Sequence, residues 1–355
     1  MKKSFEKGNV AIAKAAVAAG CRYYFGYPIT PQSDIPEYLS QVLPAQGGQF
    51  VQAESEVAAI NMLLGAGATG KRAMTSSSSP GISLKQEGIS YMAGSEVPGV
   101  IVNVQRSGPG LGGIAPSQGD YFQATRGGGH GDYRVIVLAP ASVQEMYDLT
   151  VRAFDLADQY RTPVMILADA MLGMMKEPLE EWVPERKDFG KASWALTGAL
   201  GRPARKVKSL YLGDGELADH NWALAQKYRE IEQKESRAHV EVPERCELAV
   251  VAFGSAARIA KSAVDRANEE GRRVGLVRPI TLWPFPSEVI RTVAEKGVPF
   301  LTVELNTGQM VEDVRLAVEG RSRVDFAGWP PGYLPNPDDV YAEIAKRLPA
   351  EEKCA

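Results

Sequence analysis

The stretch Gly26-Tyr27-Pro28-Ile29-Thr30-Pro31 decides the fold, because it ends the first apolar run of the chain with a forced turn. Each proline fixes its own φ angle and disfavours a helical conformation at the residue before it. The result is a short, stiff loop that holds the Thr30 hydroxyl at a defined angle. Loops of this kind at the carboxyl ends of strands are where open α/β sheets bind ligands. A plain turn between a strand and a helix is the alternative interpretation.

Predicted strands alternate with predicted helices on both sides of this loop. Apolar runs indicate strands at 22–26, 50–52, 72–75, 98–106, 134–138 and 163–168. Helical spacing of apolar and small residues indicates helices at 8–20, 32–43, 57–70, 81–92 and 142–160. Because this alternation is typical of parallel sheets with helices on both faces, we predict an α/β fold with a doubly wound parallel sheet.

The second half of the chain differs in composition. Residues 176–245 are rich in charge and proline and contain a polar helix predicted from Leu217 to His239. A smaller α/β unit follows, with strands predicted at 248–253, 274–277 and 300–303. We therefore predict a first domain over 1–180, a linker with an exposed helix over 181–245, and a second domain over 246–355.

Composition limits the possible functions. The 355 residues suffice for about two domains. A net charge of −3 argues against a basic surface for nucleic acid or membrane lipid. No apolar run reaches the roughly 18 residues that span a bilayer, and the N-terminus lacks the apolar core of a signal peptide, so we expect a cytoplasmic chain.

Cysteine and histidine usage predicts no metal site made by this chain. The cysteines are Cys21, Cys246 and Cys354, which form no CxxC pair. A cluster that needs four thiolates cannot be built from three. The histidines show no ligand spacing.

The glycine-rich stretch 108–113 matches the G-x-G-x-x-G pattern after a predicted strand. A dinucleotide fingerprint needs a helix that opens at once, so that its N-terminus meets the pyrophosphate. Residues 114–119 open no helix, which favours a flexible loop over a ligand. An NAD-binding Rossmann dehydrogenase remains the alternative.

Charged side chains near two strand ends are candidate site residues. Glu54 and Glu56 lie at a strand-to-helix junction, where glutamates often only complement the helix dipole. Small apolar residues follow them, so one carboxylate could lie in a dry environment and share a proton with a ligand. Arg106 ends a buried-looking strand; it is either a solvated charge or a guanidinium that holds a carboxylate.

Four motifs in order give the chain a family resemblance: Gly26–Pro31, Glu54-Ser55-Glu56-Val57-Ala58-Ala59, Thr75-Ser76-Ser77-Ser78-Ser79-Pro80-Gly81 and Gln105-Arg106-Ser107-Gly108-Pro109. Together they resemble the alpha subunit of 2-oxoacid:ferredoxin oxidoreductases. The branched-chain type, which acts on 2-oxoisovalerate (3-methyl-2-oxobutanoate), is most similar, followed by the 2-oxoglutarate type. The resemblance covers residues 8 to about 180 and continues at Glu304-Leu305-Asn306-Thr307-Gly308-Gln309.

This resemblance implies a shared cofactor. The first domain would be the pyrimidine-binding half of a thiamine diphosphate site, and the second would be like the C-terminal domain of transketolase. The diphosphate and its Mg²⁺ would lie on a beta subunit that also carries a 4Fe-4S cluster. Gamma and ferredoxin-like delta subunits would complete the complex. The reaction implied is oxidative decarboxylation of a 2-oxoacid, with the acyl group passing to coenzyme A and the electrons to ferredoxin.

The resemblance also implies roles for individual residues. The catalytic glutamate falls on Glu56, with Glu54 as the fallback, and would hydrogen-bond the aminopyrimidine ring and favour its imino tautomer. Thr30 and Arg106 would contact the substrate carboxylate. The remaining cofactor-binding positions would be Tyr27, Pro28, Ile29, Ser77 and Ser78.

Three features do not follow from the family pattern. Lys85 stands where an apolar residue is expected; it is either a surface charge or a second cation for a dicarboxylic substrate. The loop 126–132 could line the pocket. Gly213-Asp214-Gly215 matches the start of the metal-diphosphate motif of thiamine enzymes, but lacks the later Asn and is interpreted as chance. A non-catalytic scaffold subunit is a further alternative.

Overall fold

The computed structural model describes residues 2–185 and 187–348, which form three β-sheets and the helices packed on them. The strands are β1 (Lys2–Lys7), β2 (Tyr23–Gly26), β3 (Gln49–Gln52), β4 (Ala73–Ser77), β5 (Gly99–Gln105), β6 (Ile136–Leu138), β7 (Pro163–Asp169), β8 (Lys176–Glu181), β9 (Ala238–Glu241), β10 (Leu248–Val251), β11 (Val274–Pro279), β12 (Thr281–Trp283), β13 (Phe300–Glu304) and β14 (Val324–Gly328). The α-helices are α1 (Gly8–Ala18), α2 (Asp34–Ala45), α3 (Glu56–Ala68), α4 (Ser79–Gly94), α5 (Tyr121–Arg126), α6 (Val143–Tyr160), α7 (Ala170–Met174), α8 (Glu216–Glu235), α9 (Gly254–Glu269), α10 (Ser287–Ala294), α11 (Met310–Val318) and α12 (Pro337–Ala345).

The largest sheet has the strand order β12-β6-β7-β5-β4-β2-β3. Its strands from β2 to β7 pair in parallel. Every residue of β5 and β7 is buried, as expected for the central strands of a sheet covered by helices on both faces. The prediction of a parallel α/β sheet is confirmed.

Helices begin where the sequence provides caps. The Ser55 hydroxyl accepts a hydrogen bond from the Ala58 amide at the start of α3 (3.2 Å). Ser142 does the same for Glu145 at the start of α6 (3.1 Å). Such caps satisfy amide groups that have no partner within the helix.

Within the described ranges, no helix combines the length and apolar character needed to cross a membrane.

The second sheet has five strands, not the three predicted, in the order β14-β13-β10-β11-β9. One additional strand, β9, lies where the polar helix was predicted to continue; the helix ends at Glu235 instead. β9 pairs antiparallel with β11, with His239 opposite Arg278. A polar edge strand of this kind is stabilised by its neighbour, so its local sequence carries little signal.

Two further pairings involve strands distant in sequence. β1 pairs antiparallel with β8, and β12 pairs antiparallel with β6. β12 comes from the region predicted as the second domain, but it forms an edge of the largest sheet. Neither pairing was predicted, because both depend on contacts between distant segments.

The helix α8 is polar on most of its surface but is packed on the protein along one side. Leu224, Tyr228 and Ile231 are buried. The Tyr228 ring meets the Trp283 ring edge-on, with centroids 5.8 Å apart. The prediction of an exposed helix is therefore correct for only part of its surface.

Gln118 joins the two large sheets. Its side-chain amide donates to the Phe253 carbonyl (2.8 Å), and its side-chain oxygen accepts from the Leu305 amide (3.1 Å). Its backbone carbonyl accepts from the Asn306 side chain (2.9 Å). The Leu305 amide depends on the Gln118 side chain for its hydrogen bond, whereas the Phe253 carbonyl also accepts from the Ala257 amide (3.1 Å) and the Asn306 side chain also donates to Glu304 (2.9 Å).

We expect Gln118→Ala to lower the free energy of unfolding by about 1–3 kcal/mol, because the Leu305 amide is left without its partner. Thermal or denaturant unfolding of the purified protein measures the change. Gln46→Ala is the control, because Gln46 is exposed and its loss should be nearly neutral. Equal stability of the two variants would contradict the role given to Gln118.

Candidate functional site

The predicted site residues lie at the carboxyl ends of neighbouring strands. Thr30 follows β2, Ser78 follows β4, and Arg106 follows β5; these strands are adjacent in the order β5-β4-β2. Glu56 opens α3, which follows β3, the neighbour of β2. Because parallel strands end at one edge of the sheet, the loops bearing these side chains converge there.

Arg106 connects two of these loops. Its guanidinium donates to the Thr30 carbonyl (3.0 Å) and, more weakly, to the Leu111 carbonyl (3.5 Å). The residue is buried, and among the described residues its Nε has no hydrogen-bond partner. An unpaired, buried guanidinium N–H is suited to hold a carboxylate oxygen.

The loop after β2 exposes much of its surface. Thr30, Tyr27 and Pro28 are exposed, and Ile29 is half-buried. The Gln32 side chain donates to the Tyr27 carbonyl (3.4 Å) and so ties the loop to the residues after it. The loop is therefore accessible from outside the chain.

The serine run at the end of β4 contains hydroxyls that differ in their partners. Ser76 bonds Tyr24 (2.7 Å) and Gln32 (2.5 Å). The hydroxyls of Ser77 and Ser78 are buried and have no partner among the described residues. Unpaired buried hydroxyls cost free energy, which makes both serines candidates for contact with a bound molecule.

Glu56 and Glu54 have different environments. Glu56 is 6% exposed, whereas Glu54 is exposed. The Glu56 carboxyl lies against Gly81 of α4: a Cβ at Gly81 would come 2.7 Å from Glu56 Oε1 and 2.1 Å from Ser77 Oγ. A glycine is therefore required at position 81 for this carboxyl to lie where it does.

Lys85 is fully buried in α4, so the prediction that it is a surface charge is wrong. Its ammonium donates to the Glu56 backbone carbonyl (3.5 Å). Burial lowers the Lys85 pKa to about 8, while the nearby Glu56 charge acts in the opposite direction. The sequence gives no signal for this burial, because a lysine in a helix is almost always exposed.

A polar cluster beside the site was not predicted. The Asp120 carboxylate accepts from Ser79 Oγ (2.6 Å) and from the Asn103 side chain (2.9 Å). The Asn103 oxygen accepts from the Ser79 amide (3.0 Å) at the start of α4. Burial raises the Asp120 pKa, and these hydrogen bonds oppose the rise. Asp120 has no motif around it, so no sequence signal pointed to it.

The glycine-rich stretch forms a loop, as predicted. The next helix, α5, begins only at Tyr121, so no helix N-terminus opens at the glycines. The loop 126–132 runs along α4: Gly128 and Gly129 lie close to Gln86, and the Ser90 hydroxyl donates to the His130 carbonyl (2.7 Å). The Gly213-Asp214-Gly215 stretch lies just before α8. The residues after this helix form β9, so the position of the later Asn of a metal-diphosphate motif falls in a strand that contains no Asn.

Metal-binding residues do not cluster in the described ranges, where no group of three or more His, Cys, Asp or Glu side chains could hold an ion. Cys21 and Cys246 are free thiols. Cys354 lies outside the described residues.

Two family models match the chain. Residues 14–199 match the thiamine diphosphate-binding domain of pyruvate flavodoxin/ferredoxin oxidoreductase. Residues 246–340 match core domain II of pyruvate:ferredoxin oxidoreductase.

Relatives and solved structures agree with these matches. The chain is 55% identical over 314 residues to the ketoisovalerate oxidoreductase subunit VorB of Methanothermobacter marburgensis, covering 88% of each chain. It is 37% identical over 371 residues to the 2-oxoglutarate synthase subunit KorA of Methanothermobacter thermautotrophicus, covering 96% of this chain and 98% of that one. Among solved structures it is similar to the 2-oxoglutarate:ferredoxin oxidoreductase of Magnetococcus marinus, with TM-score 0.85 and 26% identity. That match covers 98% of this chain and 65% of the other.

We expect Lys85→Met to change how stability depends on pH. Below about pH 8 the lysine is protonated in both folded and unfolded chains, and its burial cost is fully present. Between about pH 8 and pH 10.5, the ordinary pKa of lysine, Lys85 is deprotonated in the folded chain but still protonated in the unfolded chain. The free energy of unfolding of the wild type therefore rises with pH in this range. The variant, with no such proton, should be more stable near neutrality by up to about 3 kcal/mol.

Thermal unfolding at a series of pH values measures this difference, which should shrink above about pH 8. A parallel pH dependence in both proteins would show that Lys85 titrates normally and is not buried as described.

Proposed function

We propose, since this chain belongs to the pyruvate flavodoxin/ferredoxin oxidoreductase family, that it is the alpha subunit of a thiamine diphosphate-dependent 2-oxoacid:ferredoxin oxidoreductase. The reaction consumes a 2-oxoacid, coenzyme A and oxidised ferredoxin. It yields the acyl-coenzyme A, carbon dioxide, a proton and reduced ferredoxin, which takes up both electrons released by the decarboxylation. The observation that carries this proposal is the convergence of Glu56, Thr30, Arg106 and the unpaired serines at one edge of the sheet.

The residues at this edge fit the ring half of thiamine diphosphate. Ser77 and Ser78 offer buried hydroxyls without partners, and Glu56 offers a buried carboxyl. Tyr27, Pro28 and Ile29 would contribute the exposed loop beside them. When bound, the cofactor supplies a nucleophilic carbon and an electron sink for decarboxylation.

Glu56 is the proposed catalytic residue of this chain. Its carboxyl would hold a proton on a nitrogen of the aminopyrimidine ring and so favour the imino tautomer. Burial supports this role, because a proton shared in a site of low dielectric is held more strongly than in water. Glu54 is exposed and lacks this advantage.

Arg106 and Thr30 are proposed to bind the substrate carboxylate. The guanidinium already holds the Thr30 carbonyl, so a carboxylate bound to Arg106 would lie beside the Thr30 loop. A charge-assisted hydrogen bond from a buried guanidinium is a strong and directional contact.

The space next to Thr30 supports a branched aliphatic substrate, such as 2-oxoisovalerate, over 2-oxoglutarate. A cavity of about 400 Å³ is lined there by Thr30 and apolar groups that include Ile114, Pro116 and Met174. Its described lining contains an acidic residue, Asp34, and no lysine, arginine or histidine. The nearby cation, Lys7, is already paired with Asp34 (2.8 Å), so a second substrate carboxylate would find no uncompensated cation in this lining.

Partner subunits complete the proposed enzyme. The relatives are named as subunits, which implies a multi-subunit assembly. We propose that a beta subunit holds the diphosphate, its Mg²⁺ and a 4Fe-4S cluster. Gamma and ferredoxin-like delta subunits would carry further steps of electron transfer.

Reconstitution of the purified complex tests the proposal. Viologen or ferredoxin reduction should require thiamine diphosphate, coenzyme A and a 2-oxoacid, with 2-oxoisovalerate used better than 2-oxoglutarate. Reduction that needs none of these components would refute the proposal. The reverse order of substrates would refute only the substrate assignment.

We predict that Glu56→Gln lowers kcat by at least about a hundredfold, because the amide cannot exchange the ring proton. Subunit assembly, followed by size-exclusion chromatography, should be unchanged. Glu54→Gln is the matched control and should retain near-normal turnover. A normal rate in Glu56→Gln together with a loss in Glu54→Gln would transfer the role to Glu54.

We predict that Arg106→Ala raises KM for the 2-oxoacid by about tenfold or more, since a charge-assisted hydrogen bond is lost. Arg106→Lys should recover part of the affinity, because the charge remains without the fork geometry. Arg315→Ala, an exposed arginine of α11, is the control. An unchanged KM in Arg106→Ala would remove this residue from the substrate site.

A further inference from the structure

An ion pair lies in the wall of the cavity next to Thr30. Asp34, the first residue of α2, lines this cavity. One oxygen of its carboxylate lies 2.8 Å from the ammonium of Lys7, the last residue of β1. The Asp34 and Lys7 side chains are 20% and 31% exposed, so water and salt screen their charges less than on an open surface. The cavity therefore has a negative charge in its lining and a positive charge next to it.

The Asn9 side chain holds this wall in place. Asn9 is fully buried, and its amide nitrogen donates to the second oxygen of Asp34 (3.1 Å) and to the Pro31 carbonyl (2.9 Å). The same nitrogen lies 3.9 Å from the Met174 sulfur. Pro31, Asp34 and Met174 all line the cavity. A single buried amide thus positions the carboxylate relative to the apolar part of the wall.

The rest of the described lining carries no charge. Thr30 and Ser33 supply hydroxyls, and the other lining residues are apolar. The Arg106 guanidinium, which is proposed to hold the 2-oxoacid carboxylate, bonds the Thr30 carbonyl at the border of the cavity (3.0 Å). The side chain of a substrate held by Arg106 would therefore enter a space that has apolar walls and one charged residue, Asp34.

We propose that the ion pair of Asp34 and Lys7 determines which 2-oxoacids the enzyme accepts. The Asp34 carboxylate repels a second substrate carboxylate, and it also occupies the Lys7 ammonium, which could otherwise bind that carboxylate. An aliphatic side chain carries no charge and meets only the apolar walls. This inference rests on the proposed function, since it assumes that the side chain of the 2-oxoacid enters this cavity. Asp34 and Lys7 are specificity residues and take no part in the chemical steps.

The two members of the pair should have opposite effects. Asp34→Asn keeps the shape of the side chain and an acceptor for Asn9, but it leaves the Lys7 ammonium without its partner carboxylate. Lys7→Met keeps the length of the side chain and leaves the Asp34 carboxylate uncompensated. The first change should favour dicarboxylic 2-oxoacids, and the second should disfavour them. A purely structural role of the pair would shift both variants in the same direction.

Kinetics of the assembled complex test this directly. Turnover of 2-oxoglutarate and of 2-oxoisovalerate is measured with thiamine diphosphate, coenzyme A and ferredoxin, and the ratio of the two kcat/KM values is compared between variants. Asp34→Asn should raise this ratio in favour of 2-oxoglutarate by about tenfold or more, and Lys7→Met should lower it by about the same factor. The double variant, with neither charge, should lie between the two.

A second measurement does not require turnover of the dicarboxylic acid. Glutarate has two carboxylates and no 2-oxo group, so it can inhibit turnover of 2-oxoisovalerate without reacting. Asp34→Asn should lower the inhibition constant of glutarate, and Lys7→Met should raise it.

Asp155→Asn is the matched control. The Asp155 carboxylate is 17% exposed, similar to that of Asp34, and it pairs with Arg72 (2.6 Å). Arg72 precedes β4 at the amino ends of the parallel strands, whereas Asp34 follows the carboxyl end of β2. Loss of the Asp155 charge should therefore leave the ratio of kcat/KM values and the inhibition by glutarate unchanged.

The outcomes separate this inference from the proposed function. An unchanged ratio in either variant, or a shift of both in the same direction, would overturn the role of the pair and leave the function intact. A wild type that prefers 2-oxoglutarate would overturn it as well. Each variant has its own expected shift, so if one does not fold the other still decides. A wild-type complex that turns over neither acid would overturn the proposed function, and this inference with it.

Discussion

The close approach of α3 and α4 is the constraint on which the site depends. Gly81 leaves room for the Glu56 carboxyl, and the same helix face brings Lys85 to Glu56. Both charged side chains are buried there. The Lys85 ammonium reaches the Glu56 backbone carbonyl (3.5 Å), so its burial is only partly offset by a hydrogen bond. The seam therefore determines where the carboxyl lies.

The parallel sheet supplies the other half of the arrangement. Its strands end at a common edge, so loops that are far apart in sequence meet there. No short stretch of sequence encodes these contacts. Arg106 is an example: its guanidinium reaches across to Thr30, 76 residues away. Ser79 holds the Arg106 backbone amide (3.0 Å), which couples the loop after β5 to the first turn of α4.

Contacts between the two large sheets hold the loop that follows Arg106. Gln118 bonds Phe253 and Leu305, and the Tyr121 hydroxyl donates to Asp313 (2.6 Å). Burial raises the Asp313 pKa, and the bond from Tyr121 opposes this rise. The C-terminal sheet thus has a direct structural consequence for the site, because it determines the path of the chain between β5 and α5.

The sequence by itself determined the parallel sheet, the order of its strands along the chain and the stretches that meet at its edge. These features follow from apolar runs, prolines and capping residues, which act over a few neighbouring residues. Only the tertiary structure decided that Glu56 is buried while Glu54 is exposed, that Lys85 lies beside Glu56, and that Asp120 joins Ser79 and Asn103. It also decided the pairing of β12 with β6 and of β9 with β11. Burial and pairing depend on which segments pack together in space, and no local pattern contains that information.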